Sequence, residues 1–393
     1  MTMISLKSHL KPRLLCLLRW SLKVRSTSGF TLLELLVALA IGSLIVTGLL
    51  YGVVELMQTN QRDASRSDTQ REVQSALDYM ARDLKEAVYV YDGRCLQGDG
   101  ANPFNKTAGQ KRCPGVLNYV PAALNDATSL PVLAFWRVDP LPQNLIDRCR
   151  TSAGTANAAT SLQGVPCISQ RMYTLVVYAL NTDNSNRLWR GRGRITRYEL
   201  PQFTTASITG AGAPTATPGW VNPLQGQTNF ETWPWGADTA GAATQNLQAK
   251  NGGRPTSMAN NLVLIDFVDN REDKSTPPRG IQSIAANANS GVPGDLSNGW
   301  SNLCPTPAYD SANPTLGGFI MSPGNDLATG AKSTLGFYTC VRGADANNLN
   351  QEVAIYIRGN AAGRPGIPVG TGNLPFLMET RVLTRGAIGK VNQ

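Results

Sequence analysis

Residues 29–54 read GFTLLELLVALAIGSLIVTGLLYGVV, an almost unbroken apolar run. No charged residue occurs from Leu35 to Val54, and a helix of about 20 apolar residues can cross the hydrocarbon core of a bilayer. Glu34 is the exception, since a carboxylate in hydrocarbon costs on the order of 2.5–3.5 kcal/mol on insertion scales. The run therefore predicts a membrane-spanning helix whose acid needs a positively charged partner from outside the run.

Gly29 suggests where that partner comes from. Cleavage after Gly29 would make Phe30 the N-terminus and bring an α-amino group close to Glu34. The basic leader, Gly29, Phe30, the sequence Thr-Leu-Leu-Glu and the apolar helix together resemble the prepilin signature of type IV pilins and type II secretion pseudopilins. This resemblance implies cleavage after Gly29, N-methylation of Phe30, and pairing of Glu34 with a terminal amine, usually that of a neighbouring subunit. The alternative is an ordinary signal-anchor helix.

The segment before Gly29 is basic, and we expect it to remain in the cytoplasm and to be removed. It holds six of the 36 basic residues and no acid, so 30 basic side chains remain against 27 acidic ones, a net charge of +3. The high overall pI is therefore mostly a property of the leader, and no nucleic-acid partner is expected.

Six cysteines remain after the leader and its Cys16 are removed. An even number on the translocated side of a membrane fits up to three disulfides. Neighbours in sequence suggest three pairs, although six cysteines allow 15 pairings: Cys95–Cys113, Cys149–Cys167 and Cys304–Cys340. A zinc site is the rival interpretation, but no CxxC spacing occurs.

His9, in the leader, is the only histidine, so a processed chain has none. Ser-His-Asp and Cys-His catalysis are thereby excluded, as is a histidine-ligated metal. Nothing marks a Ser-Lys or two-carboxylate enzyme. We therefore expect no catalytic residues, no metal and no cofactor. Carboxylates at Asp266, Asp269, Glu272 and Asp273 could ligate Ca²⁺. A solvated turn is the favoured interpretation, because Arg271 and Lys274 intervene and no EF-hand spacing is present.

After the membrane run, apolar residues return at spacings of three and four, which places them on one helical face: Val73, Leu77, Met80, Leu84 and Val88. No proline occurs between Pro12 and Pro103. One helix is therefore predicted from about Phe30 to Val88, ended by Gly93 and the loop beyond it.

Residues 76–87, ALDYMARDLKEA, resemble a stretch of PilW-like minor pilins and type II secretion pseudopilins. The resemblance implies that Arg82, Asp83 and Leu84 close the helix before the head domain. Gly48 and Gly52 form a small-xxx-small pair in the membrane run, which lets two helices approach closely. Chance placement is the alternative for these glycines.

Seven segments from Cys95 onward read as strands, being short, rich in β-branched and aromatic residues and bounded by Gly, Pro, Asn and Asp: 130–138, 172–180, 195–200, 262–268, 335–341, 353–358 and 376–383. Helical patterns do not alternate with them, so an antiparallel sheet is predicted. VVYALN (176–181), ITRYEL (195–200) and METRVLTRG (378–386) resemble strands of the PilW-like head.

Two long polar inserts interrupt these strands, at residues 204–255 and 277–316. The first carries Trp220, Trp233 and Trp235, and the second carries Trp300. These rings could stack on a sugar or a protein partner, or they could pin the inserts onto the sheet. The Asn-, Thr- and Gly-rich composition is similar to that of pseudopilins from cyanobacterial polysaccharide-secretion clusters.

The sequence predicts an α+β protein with a long N-terminal transmembrane and amphipathic helix packed on an antiparallel, pilin-like β-sheet head with long loops. We expect residues 1–29 to be a cleaved leader and residues 30–57 a transmembrane or filament-core helix. Residues 58–92 would continue this helix as an amphipathic segment, and residues 93–393 would form a disulfide-stapled head outside the cytoplasm. The resemblance implies a minor pilin or pseudopilin in the inner membrane and in a pilus or pseudopilus filament. Its implied partners are other pilins or pseudopilins, the prepilin peptidase/N-methyltransferase, the inner-membrane assembly platform and membrane lipid. The alternative is a filament-tip adhesin or binding module that uses the tryptophan-bearing inserts.

Overall fold

The computed structural model describes most of the chain from Gly29 onward. The described residues are 29–106, 113–152, 162–185, 187–204, 208, 213–237, 243–270, 304–305, 318–323, 336–342, 350–368 and 375–384. The chain divides into two compact units between Thr59 and Asn60, and the second unit is called the head here.

Helix α1 runs from Leu32 to Lys85. Its first turn is closed by Thr31, whose carbonyl accepts hydrogen bonds from the Glu34 and Leu35 amides at 3.0 and 3.2 Å. In the described part of the chain, α1 is the one helix long and apolar enough to cross a membrane. Its apolar side chains from Leu32 to Met57 are exposed, as a segment that faces lipid or neighbouring helices requires.

The serine and threonine hydroxyl groups inside the apolar part of α1 are satisfied within the helix. Ser43 Oγ donates to the Ala40 carbonyl at 2.9 Å, and Thr47 Oγ1 donates to the Ser43 carbonyl at 2.7 Å. Such bonds let Ser and Thr lie in hydrocarbon without an unsatisfied donor. Glu34 differs, because the described residues provide no side-chain partner for its carboxylate.

The part of α1 that belongs to the head buries one face against the sheet. Val73, Leu77, Met80 and Leu84 are buried, as their spacing predicts. The predicted helix end was wrong, because α1 ends at Lys85 and Val88 lies in strand β1 (Ala87–Tyr91). The run Ala-Val-Tyr-Val-Tyr favours a strand, and its pairing with β2 decides the outcome.

Gly93 does not end α1, contrary to the prediction. It begins the short helix α2 (Gly93–Leu96), capped by Asp92, whose carboxylate accepts from the Arg94 and Cys95 amides. The third helix, α3, is Gln143–Ser152. Residues 87–92, expected to continue the amphipathic helix, therefore form a strand and a cap instead.

All seven predicted strands are present. The strands after β1 are β2 (Ser129–Pro140), β3 (Arg171–Asn181), β4 (Gly193–Pro201), β5 (Trp235–Gly236), β6 (Gln245–Asn246), β7 (Asn261–Val268), β8 (Ile320–Ser322), β9 (Phe337–Arg342), β10 (Glu352–Gly359) and β11 (Phe376–Leu383). Four strands were not predicted. Val88 continues the helical spacing, which hid β1, whereas β8 and the two-residue pair β5–β6 are too short to show a period of two.

Within the described residues, the main sheet has nine strands in the order β1-β2-β3-β4-β7-β10-β9-β8, with β11 paired to β10. Every pairing is antiparallel, as predicted. The sheet is curled. The buried side chain of Gln351, the residue before β10, accepts from the Val90 amide at 2.8 Å and donates to the Val90 carbonyl at 2.7 Å. Gln351 therefore occupies the edge of β1 where a further strand would pair.

Candidate functional site

The predicted processing site lies just ahead of α1. Gly29 and Phe30 precede the first helical residue, Leu32, and the Phe30 side chain is exposed. A Cβ added at Gly29 would meet nothing within 4 Å, so the fold does not require glycine there. Cleavage after Gly29 and N-methylation of Phe30 stay predictions, and the leader itself lies outside the described residues.

Glu34 lies in the first turn of α1, where exposed amide N–H groups favour a negative charge. This local effect is worth about 0.3–1 kcal/mol, less than the cost of a carboxylate in hydrocarbon. The position therefore leaves the carboxylate in need of a stronger partner, and its role as the assembly charge stays a prediction.

Gly48 and Gly52 are exposed on α1, and a Cβ added at either would meet nothing within 4 Å. Replacing these glycines therefore creates no clash in the described chain. Close packing of these glycines against another helix stays a prediction. If a larger side chain at either position impaired assembly, the clash would be with a neighbouring molecule.

Asp83 is the residue whose role the sequence analysis missed. Its buried carboxylate accepts from Tyr178 Oη at 2.7 Å and Arg197 Nε at 2.9 Å, and it also pairs with Arg137. These partners lie on β3, β4 and β2, so one carboxylate joins the last turn of α1 to three strands. The sequence pattern that could have predicted this role is an acidic residue beside Met80 and Leu84 on the apolar face of α1.

Two further carboxylates extend this network. Arg137 Nε contacts Asp139 at 2.6 Å and Arg137 Nη2 contacts Glu199 at 3.0 Å, while Arg197 Nη1 lies 2.6 Å from the same Glu199 oxygen. Burial by itself raises the pKa of Asp83, but the hydrogen bond and charge of Arg197, together with Tyr178 and Arg137, hold it below its ordinary value. The carboxylate is therefore ionised, and the network acts as a fixed attachment.

The six candidate cysteines form three disulfides in the structure. The Cα–Cα distances are 5.1 Å for Cys95–Cys113, 5.5 Å for Cys149–Cys167 and 5.6 Å for Cys304–Cys340. They attach α2 to the loop after it, α3 to the loop before β3, and Cys304 to β9. Each bond ties irregular backbone to a regular element or closes a short loop.

The three described tryptophans of the first insert are buried or partly buried in the head. Each indole donates to a group of the head: Trp220 to the Tyr173 carbonyl at 2.9 Å, Trp233 to the Val221 carbonyl at 3.0 Å, and Trp235 to Tyr119 Oη at 2.6 Å. These contacts favour the second of the two interpretations, in which the rings pin the insert onto the sheet, and stacking on a ligand stays an untested alternative. Trp300 lies outside the described residues.

The two described acids among those considered for Ca²⁺ have partners within the protein. Asp269 is buried and contacts Arg358 Nε at 3.0 Å and Asn360 Nδ2 at 2.8 Å. Asp266 accepts from the Gly191 amide at 3.2 Å. Glu272 and Asp273 lie outside the described residues. Within the described ranges, no three metal-ligating side chains are grouped together.

In the part of the chain that the structure describes, an exposed apolar N-terminal helix followed by an antiparallel sheet head is typical of a membrane-anchored protein with one span. A family model, the prokaryotic N-terminal methylation motif, matches residues 24–50. The match identifies the N-terminal segment as that of a type IV pilin- or pseudopilin-like protein, a class that is typically structural rather than enzymatic. No curated protein and no solved structure matches the chain.

Proposed function

We propose that this protein is a minor pilin or pseudopilin that enters, or primes the assembly of, a type IV pilus-like or type II secretion-like filament. The observation that carries the proposal is the position of Glu34. It lies in the first turn of an exposed apolar helix, four residues after the first residue of the expected mature chain. Its carboxylate has no side-chain partner among the described residues, and the terminal amine of a neighbouring subunit would supply one.

The partners follow from this role. The prepilin peptidase cleaves and methylates the N-terminus in the inner membrane, and an assembly platform there passes the subunit into the filament. Other pilins or pseudopilins contact α1 on its exposed apolar surface. The head lies outside the cytoplasm, an arrangement supported by the basic leader and by the three disulfides.

The size of the head supports a minor subunit. A major pilin repeats densely along its filament, whereas this head contains a nine-stranded sheet and long inserts. Subunits thought to cap a filament commonly lack the glutamate. Because Glu34 is present, we infer that another subunit can be placed above this one.

A tip-located binding module is the second candidate, and the structure weakens its basis. The described insert tryptophans are pinned to the sheet, and Trp220, Phe230, Trp233 and Leu247 belong to the main core. Deleting residues 204–255 would therefore unfold the head and could not separate binding from assembly.

A cleft of about 470 Å³ lies beside this insert, lined in part by Gln202, Phe203 and Asn251. Gln202 donates to the Gly164 carbonyl at 3.1 Å, and Asn251 donates to the Thr217 and Trp220 carbonyls at 3.0 and 2.7 Å. Because these amide groups already hold the loops together, the cleft does not favour the binding-module function.

The test is to express Glu34→Ala with wild-type partner pilins and to compare cross-linking and sheared-filament fractions. Glu55→Ala is the matched control, because Glu55 is exposed on α1 just beyond the apolar run. We expect Glu34→Ala to insert and be cleaved normally but to be lost from filaments, whereas Glu55→Ala enters them. Equal incorporation of both variants and wild type would remove the proposed docking charge and leave a signal anchor.

A further inference from the structure

The hairpin turn between β3 and β4 carries a cluster of arginines beside apolar side chains. Residues 187–192, here called the basic loop, read RLWRGR and contain three arginines and no acid. Arg187 and Arg190 are exposed, and Leu188 is 73% exposed. The ring of Trp189 is partly exposed and lies under the Arg194 guanidinium, 5.0 Å from ring centroid to Cζ.

Among the described residues, the carboxylates near the basic loop do not neutralise its charge. Asp183 accepts from the Ser185 amide at 2.9 Å, and Asp266 accepts from the Gly191 amide at 3.2 Å. Counting Arg194 as well, four arginines face these two carboxylates, which leaves a net charge of +2. In the described part of the chain, Arg192 Nε is buried without a hydrogen-bond partner. The loop therefore presents positive charge to its surroundings.

A chain of direct contacts connects the basic loop to the beginning of the head. Gly191 contacts Asp266, and the next residue, Phe267, lies under Arg364 at 4.2 Å. The adjoining residues Pro365 and Gly366 accept from Ser65 at 2.8 Å and Arg62 at 3.0 Å. The basic loop is thus at the end of the head where the chain enters at Asn60.

Only six residues link Val54, at the end of the apolar run, to Asn60. A chain of six residues spans no more than about 20 Å even when fully extended. In a membrane-anchored chain, connectivity alone therefore keeps the point where the chain enters the head within reach of the lipid headgroups.

We propose that the basic loop docks on an anionic phospholipid surface, with Arg187 and Arg190 on lipid phosphates and Leu188 at the headgroup–acyl boundary. Arginine forms strong, often bidentate bonds to phosphate, and tryptophan favours the membrane interface. The proposal rests on the membrane anchoring within the proposed function and not on filament assembly. An acidic polysaccharide would also attract arginines, but it would give the exposed leucine no apolar environment.

The docked loop would hold the head against the membrane before assembly. Each arginine near an anionic surface raises the docked-to-free ratio by roughly fivefold. Entry into a filament would then require release of the loop, so docking keeps unassembled subunits in one orientation.

The experiment uses the full chain in nanodiscs, with Cys16→Ser so that an introduced cysteine is the only free thiol. A nitroxide spin label is attached to the cysteine of Leu188→Cys. Its accessibility to oxygen and to a water-soluble nickel reagent is then measured in phosphatidylglycerol-rich discs and in phosphatidylcholine discs. Ile168→Cys is the matched control. Ile168 is fully exposed and lies just before the N-terminal end of β3, whereas the basic loop follows its C-terminal end. An 11-residue strand is about 35 Å long, so the two labels are far apart.

We expect the label at position 188 to gain oxygen accessibility and lose nickel accessibility only in anionic discs, and the label at 168 to be unchanged. Arg187→Gln with Arg190→Gln should abolish the change, and Arg187→Lys with Arg190→Lys should retain most of it. Equal accessibility at 188 in both lipids would overturn the proposal. Protection at 188 only when an acidic polysaccharide is added to phosphatidylcholine discs would also overturn it. Either result would leave filament incorporation through Glu34 untouched.

Discussion

The Asp83 carboxylate in the last turn of α1 lies 2.9 Å from Arg197 Nε on β4, and both side chains are buried. This contact joins the end of the long helix to the middle of the sheet. Tyr178 donates to the same carboxylate oxygen and also lies 3.0 Å from Arg197 Nε. A shift of the last turn of α1 would separate all three groups, so the network fixes the position of that turn on the head.

Replacing Asp83 with Ala should destabilise the head by about 3 kcal/mol, because removing one partner leaves buried arginines uncompensated. Asp78→Ala is the control, since Asp78 is exposed about one turn earlier on α1 and its carboxylate accepts from Gln74 Nε2 at 3.1 Å. The measurement is denaturant unfolding of the full chain in detergent, followed by near-ultraviolet circular dichroism. An equal effect of the two changes would show that the Asp83 network adds no stability.

The pH dependence of unfolding should report the same carboxylate. The pKa of Asp83 is lowered in the folded state from its ordinary 3.8, so its contribution is complete above that value and is lost as the pH falls through the lower folded value. The difference in unfolding free energy between wild type and Asp83→Asn should therefore shrink below about pH 4. A difference that stays constant from pH 6 down to the acid transition would contradict this assignment.

The sequence predicted regular elements better than side-chain partnerships. The apolar run and the seven strands have clear periodicity, whereas β1 was assigned to the helix because Val88 continues the helical spacing. Asp83 was placed at the end of the helix, but its partners Arg137 and Arg197 are more than 50 residues away in sequence. Such contacts depend on strand register, which the local pattern does not contain.

Gln351 should be more important than an ordinary surface glutamine. Its amide satisfies both backbone groups of Val90, so Gln351→Met should leave a buried donor and acceptor unpaired and cost about 1–3 kcal/mol. Gln70→Met is the control, because Gln70 is exposed on α1. Hydrogen exchange of the Val90 amide checks the local effect. Unchanged protection in Gln351→Met would mean that the edge of β1 is closed by something else.

The disulfides should be present in the mature protein. Labelling of denatured, unreduced mature chain should find no free thiol, and labelling after reduction should find six. Cys304→Ala with Cys340→Ala should lower the unfolding free energy by about 2–4 kcal/mol, since this bond closes the longest of the three loops, with a separation of 36 residues. Six reactive thiols without reduction would contradict the disulfide assignment.

The last prediction concerns the N-terminus. The mature chain should begin at N-methylated Phe30, because the match to the N-terminal methylation motif covers residues 24–50 and Gly29 directly precedes the helix segment. Gly29→Glu should block cleavage without affecting the head, since a Cβ added at position 29 meets nothing within 4 Å and the site lies ahead of α1. Gly42→Ala is the control, because an added Cβ there also meets nothing and the site lies inside the membrane run, away from the cleaved bond.

Intact-mass analysis of membrane-extracted protein should show loss of residues 1–29 and gain of one methyl group in wild type and Gly42→Ala, and the full chain in Gly29→Glu. Wild-type protein that retains residues 1–29 in cells with an active prepilin peptidase would exclude processing, and Glu34 would then have no nearby terminal amine to pair with.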